Sequence, residues 1–473
     1  MSLETRPLHI CALLVFVAAV LRVPYFFHDV IEWDESTFIL MGQSLRDGHL
    51  PYVELWDNKP PLCFVPFAIT VALFGKSIPA IRALGLSCVS AVGVLTYAVG
   101  IRLGGRRIGV IAGILCVVLL SYAPGGMATM SEPIALVPLM GALLFALVER
   151  PTVATIVGLS ACLAAATLVR TNLAVVSAVL ALLVLREART SGFGALRAAA
   201  AFSGGTAVPW VICALPYALT GTLSVFAASV FLAPAWYALH GVARRLGWAA
   251  VAPYPLERVS QKTTYLVAFA GGTILSVVLS GFGAAHYWLQ VHPFVAIALA
   301  AALDCLLGAR LDGLTRNVRY GVSAAMLVLM LTGFSAYALM HEVLPHQLTT
   351  HGTAVNVARH LEAHNPERRP VLLFSDHLAY WFLGMQPLAK VMTHPTNLFR
   401  PSALHAAMGP GATSLDATRE IFAQKPLYIV RRERLRFAEN QPEAKALIEA
   451  TIADDYTLET KLGKTLVYRR SSL

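Results

Sequence analysis

Apolar runs of about 20 residues, parted by short polar loops, fill the chain as far as residue 340. That length crosses about 30 Å of hydrocarbon as a helix. Placed between basic loops, the runs predict crossings near 8–27, 82–101, 108–123, 133–149, 153–169, 172–186, 198–218, 223–240, 263–282, 286–306 and 320–340. That makes about eleven spans. The 223–240 run also suits an interfacial helix, because it holds Pro234, Trp236 and Tyr237. Arg102, Arg106 and Arg107, Arg150, Arg186, Arg189 and Arg197, Arg244, Arg245, Arg258 and Lys262, and Arg310, Arg316 and Arg319 mark the cytoplasmic loops. Positive loops stay inside, so the N-terminus is expected inside and everything past residue 340 outside. The first run leads into an acidic loop without a small-residue cleavage site and reads as a retained span.

One apolar run is not counted as a crossing. Residues 61–75, PLCFVPFAITVALFG, are short and hold a proline, and counting them would turn Arg102–Arg107 outward. They are expected to lie in the outer interface or to re-enter partway.

The pattern changes at 341–473. VLLFS (371–375), PLYIV (426–430) and TLVYR (465–469) carry strand patterning, while TAVNVARHLEAH and EAKALIEATI carry helical spacing. The expected architecture is a polytopic α-helical module over 1–340, with a first outer loop at 28–60, followed by a small extracytoplasmic α/β domain.

Composition agrees with the membrane reading. Hydrophobic residues make up 57% and charged residues 14% of the 473, against about 25% charged in a soluble domain. The net charge of +10 is accounted for by the inward loops, and no basic run interleaves with aromatics, so nucleic acid is not an expected partner. All seven cysteines lie in or beside apolar segments without CxxC spacing. Neither a disulfide framework nor a thiolate metal site is indicated.

Candidate chemistry concentrates in the first outer loop. It holds Asp29, Glu32, Asp34, Glu35, Asp47, Glu54 and Asp57 in a chain poor in acids. Asp34 precedes an amphipathic stretch with Phe38, Met41, Gly42 and Leu45 on one face and Gly48 at its end, a short interfacial helix. Lys59 stands immediately before Pro60 and Pro61, whose fixed backbone leads into 61–75. Asp34 could be only a helix N-cap and Lys59 only a lysine reaching to the headgroups. Alternatively, the carboxylate takes a proton from an attacking group, and the cation compensates charge building on a phosphate.

The run DEST-x4-G-x5-G-x2-P, then WDNKPPL, followed by LFGKSIPAIRALGLSCVSAVGVLTYAVGIRLGG, resembles polyprenyl-phosphate-dependent glycosyltransferases of the GT-C fold. Within these it resembles bacterial members of the protein O-mannosyltransferase superfamily, a group that includes the transferase placing aminoarabinose on lipid A. The match covers roughly the first 170 residues. The resemblance implies that Asp34 is the catalytic base with Glu35 beside it, and that Lys59 contacts the carrier phosphate. The second acidic position of the family, usually Asp, falls on Glu132, which keeps the charge on a longer arm. Glu132 before Pro133 also suits a plain helix N-terminus.

Arg170 lies between two apolar runs and is either a second phosphate contact or an arginine reaching from a tight turn. Asp57, His286 and Tyr287 are expected to line a cavity, although a lone histidine beside an aromatic also suits plain packing. Adjacent Ser375, Asp376 and His377 cannot form a triad, which is spatial rather than sequential. His341, His346, His351, His360 and His364 enrich one segment, but only His360 and His364 share a helical face, and no metal ligand set is indicated. No cofactor is required by the resemblance, although the acidic cluster could hold a divalent cation.

The expected activity is an inverting sugar transfer from a polyprenyl-phosphate carrier to a lipid, glycan or protein acceptor at the outer face of the plasma membrane. A lipid-linked sugar flippase or secondary transporter is the alternative.

Overall fold

The computed structural model describes residues 7–236, 260–280, 285–312 and 352–471, with isolated positions between 333 and 340. The expected crossing at 320–340 lies largely outside them. So do Arg244, Arg245, Arg258, Arg316, Arg319, His341, His346 and His351.

The chain is a multi-pass membrane protein, but the expectation of about eleven crossings is not met. Among the described residues six helices are long and apolar enough to cross: Pro7–Phe26, Ile78–Gly104, Thr171–Thr190, Ala195–Leu219, Gln261–Leu279 and Ala285–Leu306. The helices Ser131–Ala146 and Val153–Val169 have 16 and 17 residues, about 24–26 Å at 1.5 Å per residue. The second is cut short because Arg170 leaves the helix in an extended conformation, φ −145°, before the chain turns into the next one. The run at 223–240 gives a short apolar helix over Leu223–Trp236.

The chain divides into two compact units. The first comprises Met1–Tyr25, Arg82–Cys213 and Ala238–Met340; the second comprises Phe26–Ile81, Ala214–Tyr237 and His341–Leu473.

In the first unit, small residues let helices meet backbone to backbone. A Cβ on Gly100 would stand 2.7 Å from the Gly109 Cα, and one on Gly109 would stand 2.7 Å from the Tyr97 carbonyl oxygen. Close approach of this kind replaces the hydrophobic drive that lipid cannot supply. The helix Val153–Val169 opens on a capping box, in which the Thr152 hydroxyl accepts from the Thr155 N–H and Thr155 Oγ1 accepts from the Thr152 N–H. This pins one end of the helix whose other end presents Arg170.

In the second unit, the helix Trp33–Arg46 buries Phe38, Ile39 and Met41. It packs on a short helix, Val65–Phe74, through Phe38 against Phe64 and Phe67. Ten residues span about 15 Å, half a bilayer, and Ile69, Leu73 and Phe74 stay exposed on the other side.

The C-terminal part holds one four-stranded sheet: β1 (Val371–Leu373), β2 (Tyr428–Arg432), β3 (Tyr456–Leu462) and β4 (Thr465–Arg470), in the order β1-β2-β4-β3. β1 and β2 run parallel, and the other pairs are antiparallel. Leu372, Ile429, Ile448, Ile452 and Ile421 belong to its core. The three predicted strands are present. β3 was not predicted, because its polar TLETK register shows no apolar alternation.

Candidate active site

The helix Trp33–Arg46 starts from Glu32, which holds an extended conformation and makes no side-chain cap. Asp34 is therefore not the cap but the second helical residue, close to the positive end of the helix dipole, where a carboxylate is favoured. Its Oδ2 lies 3.6 Å from Lys59 Nζ, and both side chains are mostly covered, at 18% and 11% exposure.

Lys59 is fixed from several directions. Its carbonyl accepts from the Tyr52 hydroxyl at 2.5 Å, its N–H donates to Asp57 Oδ2 at 3.2 Å, and Nζ donates to Asn58 Oδ1 at 3.2 Å. The ammonium also stands 5.8 Å from the Phe38 ring centroid. Tyr52 adopts φ 72°, a left-handed conformation costly for an aromatic residue, and it is fully buried. Asp57 thus shapes the loop that carries Lys59. Glu35 points away from solvent at 1% exposure.

A third residue joins this pair from far along the chain. His394 Nε2 lies 3.2 Å from Asp34 Oδ1. The Thr396 N–H donates to His394 Nδ1 at 3.2 Å, so Nδ1 is an acceptor and the ring proton belongs on Nε2, directed at Asp34. The segment reaches Asp34 because it is laced to the 28–60 loop. The Trp56 N–H donates to the Lys390 carbonyl at 2.9 Å, Thr393 Oγ1 to the Trp56 carbonyl at 2.7 Å, and Thr37 Oγ1 to the Thr393 carbonyl at 2.8 Å. Sequence reasoning missed His394. Its only signal is a histidine before Pro395, and nothing local ties it to Asp34.

The remaining candidates gather in the first unit. Glu132, the second residue of the helix Ser131–Ala146, is fully buried. Arg170 Nη1 meets its Oε1 at 2.5 Å and donates to Ser131 Oγ at 2.7 Å. His286 Nε2 lies 3.8 Å from the same carboxylate oxygen. The Arg170 guanidinium stands 4.7 Å from the Tyr287 ring centroid, and the His286 and Tyr287 rings meet edge to face at 5.0 Å. Arg170 Nε is buried with no hydrogen-bond partner among the described residues.

Arg22 fixes the approach to Glu132, donating to the carbonyls of Gly126 at 2.5 Å, Met127 at 3.0 Å and Ala128 at 3.2 Å. Four residues singled out separately in the sequence are therefore one cluster around the buried Glu132–Arg170 pair.

Elsewhere in the second unit, ligand atoms of His360, His364 and Glu459 lie within 4.8 Å of one another and could coordinate a divalent cation. Ser375, Asp376 and His377 form no triad. Asp376 accepts from Ser375 Oγ and Thr465 Oγ1, each at 2.8 Å, and pairs with Arg432 at 3.5 Å.

No protein-family model matches the chain, and no curated protein matches it either. Solved structures do. It is similar to ArnT from Cupriavidus metallidurans bound to undecaprenyl phosphate, at 16% identity and TM-score 0.63 over 98% of each chain. The apo state of that ArnT matches at 15% identity and TM-score 0.55 over 97% of each chain. The Archaeoglobus fulgidus oligosaccharyltransferase in the apo form matches at 13% identity and TM-score 0.51, over 99% of this chain and 75% of that one. The chain has the GT-C fold. At these identities the fold is what is shared, and the chemistry rests on the residues described above.

Proposed function

We propose that this protein is a membrane glycosyltransferase that moves a sugar from a polyprenyl-phosphate carrier to an acceptor at the extracytoplasmic face. The observation that carries the reading is the Asp34–Lys59 pair, held at 3.6 Å with little exposure and buttressed by His394. A carboxylate beside a covered ammonium supplies both charges such a transfer needs. The GT-C fold supports the reading, because one structure that shares it is an ArnT holding undecaprenyl phosphate.

In the proposed displacement the acceptor hydroxyl or amine attacks the anomeric carbon and gives its proton to Asp34. The new bond from the acceptor to the anomeric carbon forms as the bond to the phosphate oxygen breaks, with inversion. The phosphate leaves with the electron pair, and Lys59 compensates its charge. Apart from that pair, Glu132 in the first unit fixes the Arg170 guanidinium, whose remaining N–H groups suit a phosphate oxygen.

Purified protein, given a labelled carrier-linked sugar and a surface glycolipid acceptor, should form a glycosylated product. Asp34→Asn should reduce transfer by about 10²–10⁴-fold, the range of a lost general base, while Lys59→Ala should weaken carrier binding. Undiminished transfer by Asp34→Asn would sink the assignment. Movement of the donor across the bilayer without a new glycosidic bond would favour a flippase.

A further inference from the structure

A second side-chain cluster lies in the C-terminal part of the second unit, apart from Asp34 and Lys59 in sequence and in its contacts. His360 and His364 stand one turn apart on the helix Thr353–His364, and Glu459 projects from β3, the edge strand of the sheet. The carboxylate reaches back to the helix, with Glu459 Oε1 2.8 Å from His360 Nε2. The two imidazole rings stack at 4.3 Å. We infer that His360, His364 and Glu459 form a binding site for a divalent transition-metal ion, with Zn²⁺ as the best match.

His364 Nδ1 lies 2.8 Å from the His360 carbonyl oxygen. A carbonyl only accepts, so Nδ1 carries the proton and Nε2 is left with its lone pair. A ring fixed in this way, with one nitrogen donating to a backbone carbonyl, is the usual outer-shell arrangement of a metal-bound histidine.

Glu459 is prepared as well. The Tyr428 hydroxyl lies 3.4 and 3.5 Å from its two oxygens, and Arg469 Nη1 lies 3.6 Å from Oε2. Arg469 therefore holds the outer oxygen, and Oε1 faces the histidines. Two imidazoles one helical turn apart with one carboxylate are a borderline donor set that suits zinc better than magnesium or calcium, which favour oxygen ligands. Three protein ligands leave one tetrahedral position for water.

His360 Nε2 now donates to a carboxylate, so metal binding there requires the ring to carry its proton on Nδ1, the other neutral tautomer. The ion would tie an edge strand to a helix, raising the stability of this part of the chain by mass action.

The test uses full-length protein without a polyhistidine tag, in detergent, stripped with a chelator and dialysed against micromolar ZnCl₂. Bound zinc is measured by mass spectrometry and the melting temperature by thermal unfolding. The wild type should retain one equivalent of zinc and melt higher with it than without. Cobalt(II) should give a visible absorption spectrum of tetrahedral type. His364→Ala, an exposed position, should lose the equivalent, the spectrum and the zinc-dependent gain in melting temperature. Glu459→Gln should weaken zinc binding about tenfold or more, and it serves as the second variant should His364→Ala fail to fold. Equal zinc content in the wild type and the variants, whether none or one equivalent, overturns the proposal.

Discussion

At the scale of single residues, the Asp34 carboxylate owes its setting to groups from both ends of the chain. Lys59 was visible in the sequence because it sits in a short motif close to Asp34. His394 was not, since 360 residues separate it from Asp34 and only folding brings them to 3.2 Å. Because the ring donates through Nε2, its expected role is to orient the carboxylate, not to exchange protons. A hydrogen bond to a charged group contributes about 1.5–3 kcal/mol. His394→Ala should then lower kcat about 10–100-fold with KM nearly unchanged, measured in the same transfer assay. His394→Gln, which can still donate, should recover part of the loss. A rise in KM with kcat intact would show instead that His394 contacts substrate. In the other cluster, Glu132, Arg170, His286 and Tyr287 were each recognisable as polar residues at the ends of apolar runs. Their union through one buried carboxylate was not, because it depends on three separate stretches of chain meeting.

At the scale of elements, patterning identified helices and placed their ends within a few residues, as at 153–169 for the helix Val153–Val169. The period of Phe38, Met41, Gly42 and Leu45 marked the helix Trp33–Arg46 but not its burial, since every residue from Glu35 to Gly42 is buried. Which of these residues governs the packing required the structure. A Cβ on Gly42 would stand 2.6 Å from Phe67 Cβ and 2.9 Å from the Ala68 nitrogen. Gly48, by contrast, has open space around it and a φ of 96°. The two glycines are therefore required for opposite reasons, one by contact and one by backbone conformation. Gly42→Val should push the helix Val65–Phe74 away from the helix that carries Asp34, at a cost of about 1–3 kcal/mol of overpacking, and should reduce transfer although it touches neither Asp34 nor Lys59. Gly48→Ala should cost about 1 kcal/mol from the left-handed backbone alone and leave transfer near normal. Thermal melting in detergent together with the transfer rate separates the two cases. Crossing number was not met for a different reason: runs such as 133–149 and 153–169 were counted as crossings, although their helices have only 16 and 17 residues.

At the scale of the whole molecule, the residues that build the proposed catalytic centre share a unit with the C-terminal sheet, so the stability of that sheet bears directly on the centre. His377 is the sensitive point. It is buried at the end of β1 with no partner for Nε2 among the described residues. Burial first, and the neighbouring His394 second, hold its pKa down at about 3 from an ordinary 6.5. The folded chain therefore keeps this ring neutral over a range in which the unfolded chain protonates it. The unfolded state binds the extra proton between pH 6.5 and about 3, so stability is full above that window and falls as the pH drops through it, by at most about 1.4 kcal/mol per pH unit. Unfolding midpoints of purified protein between about pH 4 and about pH 7 should show this slope, and His377→Gln should flatten it. Because the 390–397 segment delivers His394 to Asp34, transfer should be lost along with the fold in acid, following the fall in the unfolding midpoint. An acid limb that recovers fully on return to neutral pH, with the melting midpoint unchanged throughout, would place the pH sensitivity in Asp34 chemistry instead of in His377.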